Sequence, residues 1–128
     1  MINAEIILSL KPKYCRLIFN GEKDIEIRKT IPHKGLPFRV FVYETKEGVG
    51  AVTGEFIVNR FWCNYQNYND GYSCLTDKEL FNYGKGKAYG WHIVDAVKYD
   101  KPIDLKTFGF DRAPQSWCYT KEEAQNEQ

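Results

Sequence analysis

A chain of 128 residues has room for one small core, and 43% apolar with 27% charged residues is an ordinary balance for a globular protein. A net charge of +1 excludes the overall basic excess of a non-specific nucleic-acid binder. No run approaches the roughly 18 apolar residues of a membrane span, and the opening Met1-Ile-Asn-Ala-Glu5 lacks a signal peptide's basic-then-apolar order, so a cytoplasmic location is expected.

Ala4–Leu10 reads as a buried strand centred on Ile6-Ile7-Leu8. Pro12 suits the first turn of a helix, where its missing N–H is no loss. Tyr14, Leu17 and Ile18 then share a face, and Gly21 ends the helix. Asp24–Lys29 alternates, so Ile25 and Ile27 point one way and Glu26 and Arg28 the other. A Pro- and Gly-bearing loop over 30–37 leads to a strand at Phe38–Thr45, a turn at Lys46–Gly50 and a strand at Ala51–Phe61. Gly54 inside that strand marks a bulge or tight bend. Trp62–Leu75 is loop-like and dense in Asn, Tyr and Gly. Thr76-Asp-Lys-Glu79 is a capping box, so a short helix runs to about Tyr83 and breaks at Gly84–Gly86. Ala88–Tyr99 is a strand that Pro102–Leu105 continues, unless that segment begins an edge of its own. Phe108–Thr120 is irregular but holds rings that need burial.

Strands outnumber helices, and no βαβ repeat follows the first unit. The expected class is α+β: one domain over residues 1–120, an antiparallel or mixed sheet curled into a small barrel with two or three short helices at its mouth. The last eight residues, KEEAQNEQ over 121–128, are polar without an apolar face and are expected to be frayed or disordered.

Four scattered cysteines (Cys15, Cys63, Cys74, Cys118) without a CxxC pair, and two histidines, argue for free thiols and against a metal site. No cofactor is called for. Residues 1–60 carry ten Lys/Arg against seven Asp/Glu, and residues 61–128 eight against ten, so an anionic partner would meet the N-terminal half.

The segment Gly21-Glu-Lys23-Asp-Ile-Glu26-Ile-Arg28 resembles the GxKxxExR signature of the ASCH domains, a branch of the PUA-like barrels. Its setting is similar too: a strand, then Lys11-Pro12-Lys13 opening a helix, then the signature. Val52-Thr-Gly54-Glu55-Phe56 and Ala88-Tyr-Gly90-Trp91 look like later barrel strands, and Pro114-Gln-Ser-Trp117 like the C-terminal closure. The resemblance spans most of residues 4–120 and implies a nucleic-acid-associated domain. Its partner would be RNA or a nucleotide or nucleoside, bound in a cleft around Lys23, Glu26 and Arg28.

Chemistry gives these types a reason. Gly21 permits the sharp turn into the strand, and Lys23 beyond it can swing a mobile ammonium over the cleft. Arg28 can hold a phosphate or base edge bidentately, with Glu26 on the same strand face, about 6–7 Å away, to orient it. Lys11 flanks a helix N-terminus that already favours anions. Tyr65 and Tyr68, with Tyr72, sit in a polar loop and could stack unpaired bases or pack down as a lid. Against all this stands an ordinary Glu-x-Arg charge pair on a strand. The alternative function is a small amidohydrolase acting on an acetylated nucleoside with Lys23, Glu26 and Glu55 as catalytic groups. The family's catalytic threonine three residues after the lysine is Glu26 here, which leaves Lys23 beside a carboxylate and weakly nucleophilic. RNA cleavage is a third reading, without a histidine pair to support it. Oligomeric state is left open, a monomer being assumed.

Overall fold

A computed structural model describes residues 1–121. The elements follow the order β1 (Ala4–Leu10), α1 (Pro12–Phe19), β2 (Ile25–Arg28), β3 (Phe38–Glu44), β4 (Ala51–Trp62), α2 (Asp77–Gly84), β5 (Tyr89–Ile103), a 3-10 turn (Leu105–Phe108) and β6 (Trp117–Tyr119). The expected tail at 121–128 falls, apart from Lys121, outside the described residues. None of the described helices is long and apolar enough to cross a membrane.

The six strands form one mixed sheet in the order β2-β5-β4-β3-β1-β6. β1 and β3 run parallel, joined through α1 and β2, and the remaining neighbours are antiparallel. The curl is a half-barrel: β2 and β6 are the two ends of the strand order and share no ladder. Side-chain bonds span the seam instead, and in one the His33 N–H donates to the Tyr119 hydroxyl at 3.1 Å. Arg28 Nη1 donates to Ser116 Oγ at 3.0 Å, and Trp117 Nε1 donates to Thr30 Oγ1 at 3.0 Å.

Alternation sorts the side chains into an inner core and two outer layers. The inner face gathers Ile6, Leu8, Val40, Val42, Phe56, Val58 and Trp91, and α1 sets Cys15 and Ile18 onto it. On one outer face Ile25 and Ile27 lie with Tyr65, Leu80 and Ala88, beneath the loop after β4 and α2. On the other, Ile7, Tyr43 and Val52 are covered by Leu105. The bulge falls where Gly54 suggests: the β3–β4 register slips between Val42 and Tyr43, opposite Gly54 and Val52, leaving Thr53 as the extra residue.

α2 is fixed by its first turn. Thr76 Oγ1 accepts from the Glu79 N–H at 3.1 Å, and Glu79 Oε1 accepts from the Thr76 N–H at 2.9 Å, the reciprocal bonds of a capping box. That box sets α2 where its Glu79 and Tyr83 line a cavity beside β2.

Candidate functional site

Glu26 stands opposite Trp91 in the β2–β5 ladder, so it faces the inner side of the curl while Ile25 and Ile27 face outward. It is 3% exposed, as is Lys23. A charge so enclosed must be paired, and these are paired with each other and with Arg28. Lys23 Nζ lies 3.4 Å from Glu26 Oε1, and Arg28 Nε donates to Glu26 Oε2 at 2.7 Å.

Lys23 is fixed further by the backbone. Its Nζ donates to the carbonyl of Ile25 at 2.7 Å and to that of Ser73 at 2.5 Å. Two of the ammonium's three donors are thus taken by backbone carbonyls, and Glu26 stands beside it as the counter-charge. The mobile lysine expected from the sequence is therefore corrected: Lys23 is a buried strut between β2 and the loop after β4. Gly21 does take the left-handed turn into the strand, at φ +86°.

Arg28 is the member of the triad that reaches outward. Its side chain keeps 15% exposure, and Glu26 and Ser116 occupy two of its five donors. The cavity above it has a volume of about 230 Å³ and is lined by Tyr14, Lys23, Glu26, Ile27, Arg28, Leu75, Glu79 and Tyr83. Both rings carry cations. Lys23 Nζ lies 5.4 Å and Lys13 Nζ 5.7 Å from the Tyr14 ring centre, and Lys29 Nζ lies 4.9 Å from that of Tyr83. Burial, then the carboxylates of Glu79 and Glu26 and the Cys74 thiol, push the Tyr14 phenol up, so it stays an O–H donor at neutral pH. Glu79 at the rim moves the other way, lowered first by the Thr76 backbone N–H and then by the Thr76 hydroxyl and Lys13.

The other expected site residues are spread more widely. Glu55 belongs to another network, accepting from Arg39 Nε at 3.1 Å and from the Tyr99 hydroxyl at 2.7 Å, with Glu5 on the far side of Arg39. It is not among the residues lining the cavity with Lys23. Lys11 is exposed at the start of α1 and does not line the cavity either. Tyr65, expected as a stacking ring, is 1% exposed and packs with Ile25, Ile27 and Leu80. It packs against Gly90, where any Cβ would meet the ring at 2.5 Å. That position is a correction: the ring is core and has no free face. Tyr68, by contrast, is 87% exposed.

Four residues of the neighbourhood escape a reading by motif. Tyr14 and Tyr83 read as helix packing residues, Ser73 contributes only a carbonyl, and Ser116 lies 88 positions from Arg28. Only the Pro114-Gln-Ser-Trp117 segment hinted that the C-terminal stretch closes against the signature. Among the described residues no three His, Cys, Asp or Glu side chains gather as a metal-binding group.

No family model matches the chain. A curated relative from Zymomonas mobilis, named an ASCH domain-containing ribonuclease, is 29% identical over 132 residues, spanning 93% of this chain and 86% of the relative. Solved structures of the ASCH protein of Zymomonas mobilis superpose throughout. One, a serine-to-alanine variant, gives a TM-score of 0.76 at 24% identity over 98% of this chain and 94% of the other. Another gives 0.74 at 25% identity, again over 98% and 94%.

Proposed function

We propose that the chain, similar throughout to ASCH proteins, is a member of that family and a single RNA-associated domain over residues 1–120, taking one nucleotide of a single strand into the cavity at Arg28. The observation that carries the reading is the orientation of Arg28. A buried carboxylate grips its Nε, Ser116 grips one Nη, and three donors are left for a phosphate or a base edge. An arginine held in place before binding loses little freedom when it binds. Tyr14 and Tyr83, with Ile27 and Leu75, supply rings and apolar wall for a base, and the volume suits a single nucleoside. Lys23 and Glu26 position Arg28 without needing to touch the ligand.

A second reading, cleavage of the bound strand, is favoured by the name of the Zymomonas relative. The ribose 2′-hydroxyl would attack the adjacent phosphorus and lose its proton to water. The bond to O5′ would break, and O5′ would take up a proton, leaving a 2′,3′-cyclic phosphate and a 5′-hydroxyl. Arg28 supports the charge that gathers on the phosphoryl oxygens, and the Tyr14 phenol is a proton donor beside it. The amidohydrolase reading ranks below both. Lys23 Nζ is enclosed by two carbonyls and Glu26, and Glu55 is held by Arg39 and Tyr99.

The test is titration with a four-nucleotide single-stranded RNA, followed by analysis for cyclic phosphate. Arg28→Ala is expected to weaken binding by about 10–100-fold. Arg28→Lys should recover only part, because a point charge cannot reproduce the fork. Equal affinity in a folded Arg28→Ala protein would remove the site from consideration.

A further inference from the structure

α2 separates two surfaces. Glu79 and Tyr83, four residues apart and so on one helical face, line the cavity at Arg28. Asp77 and Phe81, displaced by half a turn, line a second depression with Gln66, Asn67 and Tyr68. Its rings are unusually open, since Tyr68 is 87% and Phe81 57% exposed. Leaving two large rings in water forgoes the burial that packs Tyr65 a few residues away.

The loop that presents Tyr68 is firmly held. Asn67 Nδ2 donates to the Leu75 carbonyl at 3.0 Å and to Asp77 Oδ1 at 2.9 Å. Asn67 Oδ1 accepts from Ser73 Oγ at 2.9 Å, and Gln66 N donates to Asn69 Oδ1 at 3.1 Å. Ser73 in turn gives its carbonyl to Lys23. The same residue therefore anchors the loop and the cation at the floor of the first cavity. Lys85 Nζ sits 5.9 Å from the Phe81 ring centre, placing a positive charge beside the exposed face. Asp77, the one carboxylate of the depression, is engaged by Asn67.

We propose that Tyr68 and Phe81 form a second subsite that stacks a base of the same strand that places another of its nucleotides in the cavity at Arg28. The inference rests on the RNA reading above and extends it across α2. Rings stack on any base, while the side-chain amide of Gln66 lies beside them to meet a base edge, Asn67 being spent on holding the loop, and Lys85 faces the backbone phosphate. The occupant is single-stranded, because paired bases present no free faces.

The experiment compares a mononucleotide with two- and four-nucleotide single-stranded RNAs by fluorescence titration. The proteins are wild type, Tyr68→Ala, Phe81→Ala and Arg28→Ala, and each variant's melting temperature is checked first. Both rings are exposed, so their removal should leave folding intact. The expected result is that the four-nucleotide RNA binds more tightly than the mononucleotide, and that each ring substitution costs about tenfold on the longer RNA and nothing on the mononucleotide. Two outcomes would overturn the subsite: no gain in affinity with length, or ring substitutions without effect on the longer RNA. Arg28→Ala without effect on the mononucleotide would overturn the cavity reading instead, so the two failures are separable.

Discussion

Replacing Glu26 tests the electrostatic account of the site directly. Glu26→Leu removes the carboxylate that joins Lys23 and Arg28 and leaves the lysine 3% exposed without its counter-charge. Breaking a buried pair in this way costs about 3–5 kcal/mol. For 128 residues the unfolding entropy near 60 °C is about 0.27 kcal/mol/K, so the melting temperature should fall by about 11–19 °C. Arg28 adds little to that cost, because at 15% side-chain exposure it can turn toward water. The double substitution Lys23→Met with Glu26→Leu sharpens the test. It removes both charges and leaves the carbonyls of Ile25 and Ser73 without their lysine donor, at about 1 kcal/mol each. The double variant should therefore lose only about 2 kcal/mol, or about 7 °C, and melt above the single one. Thermal unfolding followed by far-ultraviolet circular dichroism measures both. A double variant that melts at or below Glu26→Leu would refute the claim that an uncompensated buried cation dominates the cost.

Two further outcomes concern the core and the covering loop. Burial, with Glu44 and Glu26 adding, pushes the Cys15 thiol up from 9.0 to about 12, so the folded chain holds that proton more tightly than the unfolded one. This contribution is whole below pH 9 and is lost as pH rises toward about 12. Cys15→Ala should show a shallower alkaline loss of stability in urea unfolding between pH 8 and 10.5, and equal slopes would count against burial as the cause. Gly90→Val should push the Tyr65 ring from its seat and cost about 1–3 kcal/mol, seen as a lower urea midpoint and altered near-ultraviolet dichroism. An unchanged midpoint would mean that the loop is not held by that contact.

How much of this was legible in the sequence depended on how far each signal reached along the chain. β1, the proline-led α1 and the capping box of α2 are written in neighbouring residues, and each forms where its residues indicate. The bulge at Gly54 is legible because a glycine in a strand has few other uses. The two-residue period of β2 puts Glu26 and Arg28 on one face, and the structure joins them at 2.7 Å. What alternation could not show is that the face opposite Ile25 and Ile27 is also enclosed. The acceptors that immobilise Lys23 lie two and fifty residues away, and the serine that holds Arg28 lies 88 away. Tyr65 misled for a related reason. A loop has no periodicity to betray a buried ring, and its seat is created by Gly90, a strand residue 25 positions on.

The seam between β2 and β6 gives the half-barrel the mechanics of a clasp. A closed barrel opens only by breaking a backbone ladder, whereas this one is fastened there by side-chain bonds, at Arg28–Ser116, Trp117–Thr30 and His33–Tyr119. Each is worth about 1 kcal/mol net. One of these fasteners is the arginine that reaches into the cavity, so a ligand that draws Arg28 away from Ser116 also loosens the clasp. A ligand that uses only the three remaining donors leaves the clasp fastened, whereas one that takes the donor held by Ser116 binds at the cost of that fastening.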